Sequence, residues 1–130
     1  MKVLALDYGS ARTGVAVSDP TGTLARPVGV VAKASTESGL AELARLVRDE
    51  EAERVVVGLP LTLRGTRGEQ VAETERFVES LRGAVDVPVE LFDERFTTDL
   101  AQQTPDAAPE DALAAAHLLS TYLEWCAARS

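Results

Sequence analysis

Four carboxylates are the candidates for chemistry in this chain, because each stands where a predicted strand or helix begins or ends. They are Asp7, Asp93, Glu94 and Asp111. Asp7, for example, directly follows the apolar run of residues 3–6, which is typical of a buried strand. Magnesium and manganese prefer oxygen ligands of this kind and take the remaining ones from water and a substrate phosphate. The pattern predicts that carboxylates from distant parts of the chain hold divalent cations at one edge of a sheet.

Such a site would have a definite chemistry. Two divalent ions about 4 Å apart can activate a water molecule and stabilise the leaving oxygen of an in-line phosphoryl displacement. This reaction needs no histidine, and the chain contains only one, His117. With one histidine, the chain is a poor candidate for a serine-histidine-aspartate triad and for a histidine-rich zinc site.

Each acid also has a structural alternative. Asp7 could cap a turn, and Asp111 could cap the first turn of its helix, where the helix dipole favours negative charge. Asp93 and Glu94 could form a surface ion pair with Arg95. Of this adjacent pair we expect Glu94 to be the metal ligand, because its longer side chain can reach across a cleft.

Glycine and proline mark the loops beside these acids. Gly9 and Gly14 follow Asp7 and permit a tight turn with close approach of the backbone to a ligand. Residues 15–18 predict a second strand, so Asp7 lies beside the turn of a predicted hairpin. Gly58 and Pro60 follow the apolar run at residues 55–57 in the same way.

The composition limits the class of protein. A chain of 130 residues suits one domain, and its formal net charge of −8 argues against a protein that grips nucleic acid over its whole surface. The arginines at positions 12, 26, 64, 67 and 95 lie near predicted turns or strand ends and could form a local basic rim. No apolar stretch approaches the ~20 residues of a membrane span. With Cys126 as the only cysteine, we expect a reducing cytoplasm and no membrane.

The order of the predicted elements indicates the fold class. Strands are predicted at residues 3–6, 15–18, 24–33, 54–58 and 87–92, and helices at residues 36–52, 69–82, 97–103 and 110–128. Three hairpin strands followed by alternating helices and strands predict one α/β domain over residues 1–130, with a mixed five-stranded sheet covered on both faces. Ligand sites in such sheets lie at the carboxyl ends of the parallel strands. In the last helix, the predicted buried stripe is Leu113, Ala116, Leu119 (or Ser120) and Leu123.

The chain resembles the YqgF/RuvX family of Holliday-junction resolvases, which have the ribonuclease H-like fold. Four segments carry the resemblance, in the family's order and over nearly the whole chain. They are LDYGSARTGVAVSD at 6–19; VGLPL at 57–61 with Gly65; DERFTT at 93–98; and Asp111 followed by Ala114-Ala115, Leu118-Leu119 and Tyr122-Leu123.

The resemblance implies a ribonuclease H-like three-layer fold and a nuclease that depends on Mg²⁺ or Mn²⁺. It implies a metal-binding set of Asp7, Asp93, Glu94 and Asp111, with Asp7, Glu94 and Asp111 as the catalytic acids. Gly9, Gly58 and Pro60 would shape the loops and the floor of the site. Arg12, Arg64, Arg67 and Arg95 would approach the phosphates of the nucleic acid.

Two segments depart from the family pattern. Many members carry a longer segment rich in lysine and arginine between the third and fourth motifs, whereas residues 101–110 are short here and contain no basic residue. In the second motif, Leu63-Arg64 stands where a polar or acidic residue is frequent. The first departure lowers the non-specific affinity for nucleic acid that we expect.

Three classes of function follow. The leading one is a nuclease acting on a four-way DNA junction, on the precursor of 16S ribosomal RNA, or on both. The second is a ribosome-assembly module with a vestigial site. The third is a kinase-like or actin-like ATPase domain, in which a strand-Asp-x-Gly hairpin also cradles phosphate, but those enzymes need a second nucleotide-binding domain.

The substrate bears on the oligomeric state. A four-way junction presents two roughly symmetric strands, so paired incision calls for a two-fold dimer, whose interface repeats one patch on each subunit. We expect a weak or substrate-induced homodimer. Tyr122 and Trp125 are candidates for its interface, and packing on the domain's own sheet is the alternative for both.

Overall fold

The computed structural model describes residues 1–58, 69–93 and 111–129, and of residues 69, 70 and 111 the backbone only. Five strands and three helices lie in these ranges. In chain order they are β1 (Val3–Asp7), β2 (Arg12–Ser18), β3 (Ala25–Ala32), α1 (Glu37–Asp49), β4 (Arg54–Gly58), α2 (Glu69–Ala84), β5 (Val89–Phe92) and α3 (Asp111–Arg129). The helix predicted at residues 97–103 lies outside the described residues.

The five strands form one sheet in the order β3-β2-β1-β4-β5. β1 pairs antiparallel with β2 and parallel with β4, while β5 pairs parallel with β4. The central strands β1 and β4 are almost wholly apolar, as expected for parallel strands covered on both faces. The predicted mixed five-stranded sheet is confirmed.

Two hydrophobic clusters cover the two faces of the sheet. Alternation along β1 sends Leu4 and Leu6 to the cluster formed with α1 and α2, and Val3 and Ala5 to the cluster formed with α3. All four side chains are at most 3% exposed. The domain therefore has three layers, and adjacent residues along β1 face different helices.

Helix α1 begins as its sequence predicts. The hydroxyl oxygen of Thr36 accepts a hydrogen bond from the backbone N–H of Gly39 at 3.2 Å, which satisfies one of the free donors of the first turn. A Cβ atom at Gly39 would lie 2.3 Å from the carbonyl oxygen of Lys33, so the helix start packs against the end of β3 only with glycine there.

The predicted face of α3 is partly wrong. Leu119 and Leu123 are buried, but Leu113 is 50% exposed, and the buried stripe begins instead at Ala115 and continues through Leu118 and Tyr122. Near its middle, α3 is apolar around most of its circumference, so periodicity alone allowed more than one rotation of the helix about its axis. The fit of the Tyr122 ring, edge-on to Phe92 with ring centroids 5.3 Å apart, selects the observed one.

Tyr122 packs inside the domain, which is the alternative that the sequence analysis gave to a role in a dimer interface. Its side chain is 1% exposed, and its hydroxyl donates to the carboxylate of Glu90 and accepts from Arg54 at 2.8 Å. Burial, followed by the bond to Glu90, raises the pKa of the Tyr122 hydroxyl. The residue ties α3 to β4 and β5. Trp125 lies one turn further along and is half-buried against the same cluster.

Replacing Tyr122 should therefore lower the free energy of unfolding. We expect Tyr122→Ala to cost about 3–5 kcal/mol through the cavity it leaves. Tyr122→Phe keeps the ring and should cost about 1 kcal/mol, since its polar partners are partly exposed and can be rehydrated. Urea unfolding measures both. Glu124→Ala, an exposed change on the same helix, is the control and should stay within about 0.5 kcal/mol. A Tyr122→Ala variant as stable as the control would contradict this account.

Within residues 1–58, 69–93 and 111–129, no helix is both long and apolar enough to cross a membrane.

Candidate active site

Asp7 is the last residue of β1 and is half-buried. Leu6, directly before it, is completely buried and faces α1 and α2. Since successive residues of a strand point to opposite faces, Asp7 lies on the face that carries α3. The carboxylate thus stands on a rigid support at the carboxyl end of a central strand, as the sequence predicts.

Glycines occupy the positions next to Asp7 on both neighbouring strands. Gly14 is its direct partner on β2, and Leu6 pairs with Val57, so that Gly58 is the next residue along β4. A side chain directly across an antiparallel pair would have its Cβ atom only about 5 Å away. Neither neighbouring strand therefore presents a side chain against Asp7 on the α3 face, where Leu118 of α3 packs on Gly58.

The turn after Asp7 is closed by contacts that require glycine at position 9. A Cβ atom at Gly9 would lie 2.5 Å from the carbonyl oxygen of Arg12. The side chain of Thr13 is completely buried, and its hydroxyl lies 3.4 Å from both the N–H and the carbonyl oxygen of Gly9. Arg12 itself is exposed at the start of β2, on the same side of the molecule as the turn.

Asp93 lies at the same edge of the sheet. It follows Phe92, which pairs with Gly58 at the end of β4, and it is half-buried. Along β5, Val89 and Leu91 pack with α1 and α2, while Phe92 packs with α3. Asp7 and Asp93 are therefore both found where the parallel strands β1 and β5 end, on either side of Gly58.

The orientation of α3 brings its first residue to this edge as well. Leu118 contacts the end of β4, where a Cβ atom at Gly58 would lie 3.1 Å from Cδ2 of Leu118. Tyr122, one turn later, is bonded to Arg54 at the start of β4. The helix thus runs antiparallel to β4. Its first residue, Asp111, precedes Leu118 by about two turns, roughly 10 Å along the axis, and lies beyond the carboxyl end of the strand.

Several predicted site residues lie outside the described residues. They are Pro60, Arg64, Arg67, Glu94 and Arg95, together with the side chain of Asp111. In the ranges that the structure does describe, no three acidic, histidine or cysteine side chains are grouped so as to hold a metal ion. Since two of the four predicted ligands fall outside this search, the ligand set stays a prediction.

A contact of Tyr8 was missed by the sequence analysis. The Tyr8 hydroxyl donates to the carboxylate of Glu73 in α2 at 2.7 Å, and its ring stacks on Phe77 with centroids 4.4 Å apart. Burial, followed by the bond to Glu73, raises the pKa of the Tyr8 hydroxyl. The available signal was the spacing of Glu73 and Phe77, four residues apart on one helix face, but nothing local to position 8 identifies the partner.

Comparison with known proteins adds three kinds of similarity. The RuvX family model, described as Holliday junction resolvase, matches residues 1–125. A protein of Chloroflexus aggregans named "Putative pre-16S rRNA nuclease" is 41% identical over 131 residues, covering 94% of this chain and 92% of its own. A protein of the same name from Chloroflexus aurantiacus strain J-10-fl is 40% identical over 131 residues, covering 94% and 86%.

Among solved structures, RuvC of Thermus thermophilus in complex with a Holliday junction substrate has a TM-score of 0.66 at 17% identity, covering 98% of this chain and 95% of that one. The Holliday junction resolvase of fowlpox virus has a TM-score of 0.53 at 13% identity, covering 96% and 99%. At such low identities the similarity concerns the fold alone. It bears out the ribonuclease H-like architecture expected from the sequence.

Proposed function

The chain belongs to the RuvX family of Holliday junction resolvases, and on this premise we propose that it is a nuclease that uses divalent metal ions to hydrolyse phosphodiester bonds of structured nucleic acid. The observation that carries the proposal is the meeting of three chain segments at one sheet edge: the end of β1 at Asp7, the end of β5 at Asp93 and the start of α3 at Asp111. Since the chain belongs to this family, the third class of function, a kinase-like domain built on the Asp7 hairpin, is not proposed.

We propose Asp7, Glu94 and Asp111 as the acids that hold Mg²⁺ or Mn²⁺, with Asp93 as an additional ligand. The donor set suits these ions, because it consists of carboxylate oxygens, the ligands that Mg²⁺ and Mn²⁺ prefer. The bound ions would supply an activated water molecule and stabilise the leaving oxygen. The sheet and α3 would hold the carboxylates close to one another at the ends of β1 and β5 and at the start of α3.

Arginines are proposed to hold the phosphates of the substrate. Arg12 is exposed at the turn next to Asp7 and supports this role. Arg64, Arg67 and Arg95 are assigned to the same role by their positions in the family motifs. Such contacts would orient the backbone of the nucleic acid without reading its sequence. Since the net charge is −8, we expect the contact with a polyanion to be confined to a local set of arginines.

Two substrates are proposed, a four-way DNA junction and the precursor of 16S ribosomal RNA, both of which place the activity in the cytoplasm. Paired cuts in a junction require a two-fold homodimer, formed weakly or on the substrate. With Tyr122 inside the domain, Trp125 is the candidate that is left for its interface. Trimming of an RNA end makes no such demand.

A cleavage assay with Mn²⁺ or Mg²⁺ tests the proposal. A four-way junction, a duplex of the same sequence and a ribosomal RNA precursor are offered side by side, with EDTA and Asp7→Asn as controls. We expect metal-dependent cleavage of the junction, the RNA or both, and little cleavage of the duplex. Symmetric paired cuts by a protein that stays monomeric on the junction would refute the dimer. Absence of cleavage at enzyme in excess over substrate would favour the ribosome-assembly module.

Magnesium should also stabilise the folded protein. A ligand at 100 times its Kd adds about 2.7 kcal/mol to the free energy of unfolding, which corresponds to roughly 10 °C in Tm for a domain of this size. In Asp7→Asn we expect less than half of that gain. Thermal melts at constant ionic strength measure it. Asp86→Asn makes the same charge change at the opposite end of β5 and should respond like the wild type. An equal response in Asp7→Asn would mean that the cation binds elsewhere.

A further inference from the structure

Tyr8 connects the end of β1 to α2 beside Asp7. Its hydroxyl donates a hydrogen bond to the carboxylate of Glu73 in α2 at 2.7 Å. Its ring stacks on Phe77 with an interplanar angle of 19°. The side chain is half-buried and packs against the cluster formed with α1 and α2. The residue directly after Asp7 is therefore held by a hydrogen bond and a ring contact with α2.

This contact acts on the face of the sheet opposite to Asp7. Leu6 and Tyr8 both lie toward α1 and α2, and alternation puts Asp7 between them on the α3 face. β1 pairs with β2 as far as Asp7 and ends there. Past this point the turn is held by the hydrogen bonds of Gly9 with Thr13 and of Ala11 with Lys33, and the contacts of Tyr8 are the ones nearest to Asp7 in the chain. A shift of Tyr8 would turn the peptide that carries the Asp7 carboxylate.

Of the Tyr8 contacts, the hydrogen bond to Glu73 is of the strongest type. A hydroxyl that donates to an ionised carboxylate makes a bond roughly twice as strong as one between neutral groups. Glu73 is half-buried in the first part of α2, one turn before Phe77, so both partners of Tyr8 lie on one helix face. The stacking on Phe77 fixes the position of the Tyr8 ring on α2, and the hydrogen bond to Glu73 fixes the orientation of the side chain.

We propose that Tyr8 is a positioning residue, which through its bond to Glu73 holds the Asp7 carboxylate in the orientation that binds the metal ion. The proposal rests on the proposed nuclease function. It assigns to the Tyr8–Glu73 pair the role of an outer-shell support, which orients a ligand without touching the metal. Loss of the bond should weaken metal binding and turnover while leaving the affinity for nucleic acid unchanged.

The first test is Tyr8→Phe, which keeps the ring and removes only the hydroxyl. We expect kcat to fall about 10- to 100-fold, the range for outer-shell partners of metal ligands. The KM for the nucleic acid should not change, and the Mg²⁺ concentration for half-maximal activity should rise. The matched control is Tyr122→Phe, which removes a second tyrosine–glutamate bond at a distance from the site. At a temperature where it is folded, its kcat should equal that of the wild type.

A second set of variants tests the pair. Glu73→Gln retains an acceptor for Tyr8 and should keep most of the activity, whereas Glu73→Ala should behave like Tyr8→Phe. The double variant Tyr8→Phe/Glu73→Ala should be no worse than either single variant, because both remove the same bond. Additive losses, or a Tyr8→Phe enzyme with unchanged kcat and unchanged metal dependence, would overturn the proposal.

The metal dependence of Tm separates this proposal from the proposed nuclease function. If the wild type cuts none of the substrates, the nuclease proposal fails, and the Mg²⁺ concentration at half of the thermal shift is compared for wild type and Tyr8→Phe. A higher concentration in the variant supports the positioning role. An equal one refutes it, whatever the activity assay shows.

Discussion

Replacing Asp7 by asparagine should reduce metal-dependent cleavage by about a thousandfold. The amide has the size and shape of the carboxylate but no charge, and removing one preorganised electrostatic group from an active site costs about 10²–10³-fold in kcat. A group that also binds a metal ion should lie at the upper end. Single-turnover cleavage in saturating Mn²⁺ measures the loss without the contribution of product release.

The structure makes this variant a clean test. Asp7 is half-buried at a strand end, where asparagine has the same size, and in the proposed metal site the change would remove one of several like charges. We therefore expect Asp7→Asn to fold as the wild type does, which a thermal melt in EDTA checks. Asp86→Asn controls for the loss of one negative charge and should cleave normally. An Asp7→Asn enzyme retaining a tenth or more of the wild-type rate would exclude Asp7 as a metal ligand.

The second large effect is expected from Glu94 and not from Asp93. Glu94→Gln should lose about 10²–10³-fold in cleavage rate, and Asp93→Asn should stay within about tenfold of the wild type. The argument for this order is side-chain length, because a glutamate can reach further across a cleft than an aspartate.

The two variants should be measured together, in the same Mn²⁺ titration, because the residues are adjacent and the comparison cancels general effects on the loop. Full activity in Glu94→Gln combined with loss in Asp93→Asn would reverse the assignment. Equal losses in both would mean that both carboxylates are needed as metal ligands. Binding of uncleaved substrate, measured by fluorescence anisotropy in Ca²⁺, separates a loss of chemistry from a loss of affinity.

Local signals in the sequence were sufficient for most of the elements. Apolar runs of four or five residues predicted β1 and β4, since the side chains of a strand covered on both faces must all be apolar. The start of α1 was predicted to within one residue, and the Thr36 hydroxyl accepts a hydrogen bond from one of the free donors of the first turn. Boundaries were less exact: β5 begins at Val89, two residues later than expected, after Pro88, which has no N–H to give to the sheet.

The carboxylates of the candidate site were also visible in the sequence, because acids that directly follow apolar runs must lie at strand ends. This reasoning identified Asp7 and Asp93 and their common edge. It could not decide between Asp93 and Glu94, since the two-residue period of a strand ends with the strand. It misassigned Leu113 in α3, because a helix that is apolar on several sides has no preferred rotation until it meets a partner.

The sequence by itself determined the order of the strands and helices along the chain and the placement of acids at their ends. Only the tertiary structure decided which residues face one another across the sheet. The glycines on both sides of Asp7, the Tyr122 contact with Glu90 and the Tyr8 contact with Glu73 join residues 7 to 65 positions apart. The physical reason is that propensity and periodicity act within a few residues, whereas these contacts arise from the packing of helices on a completed sheet.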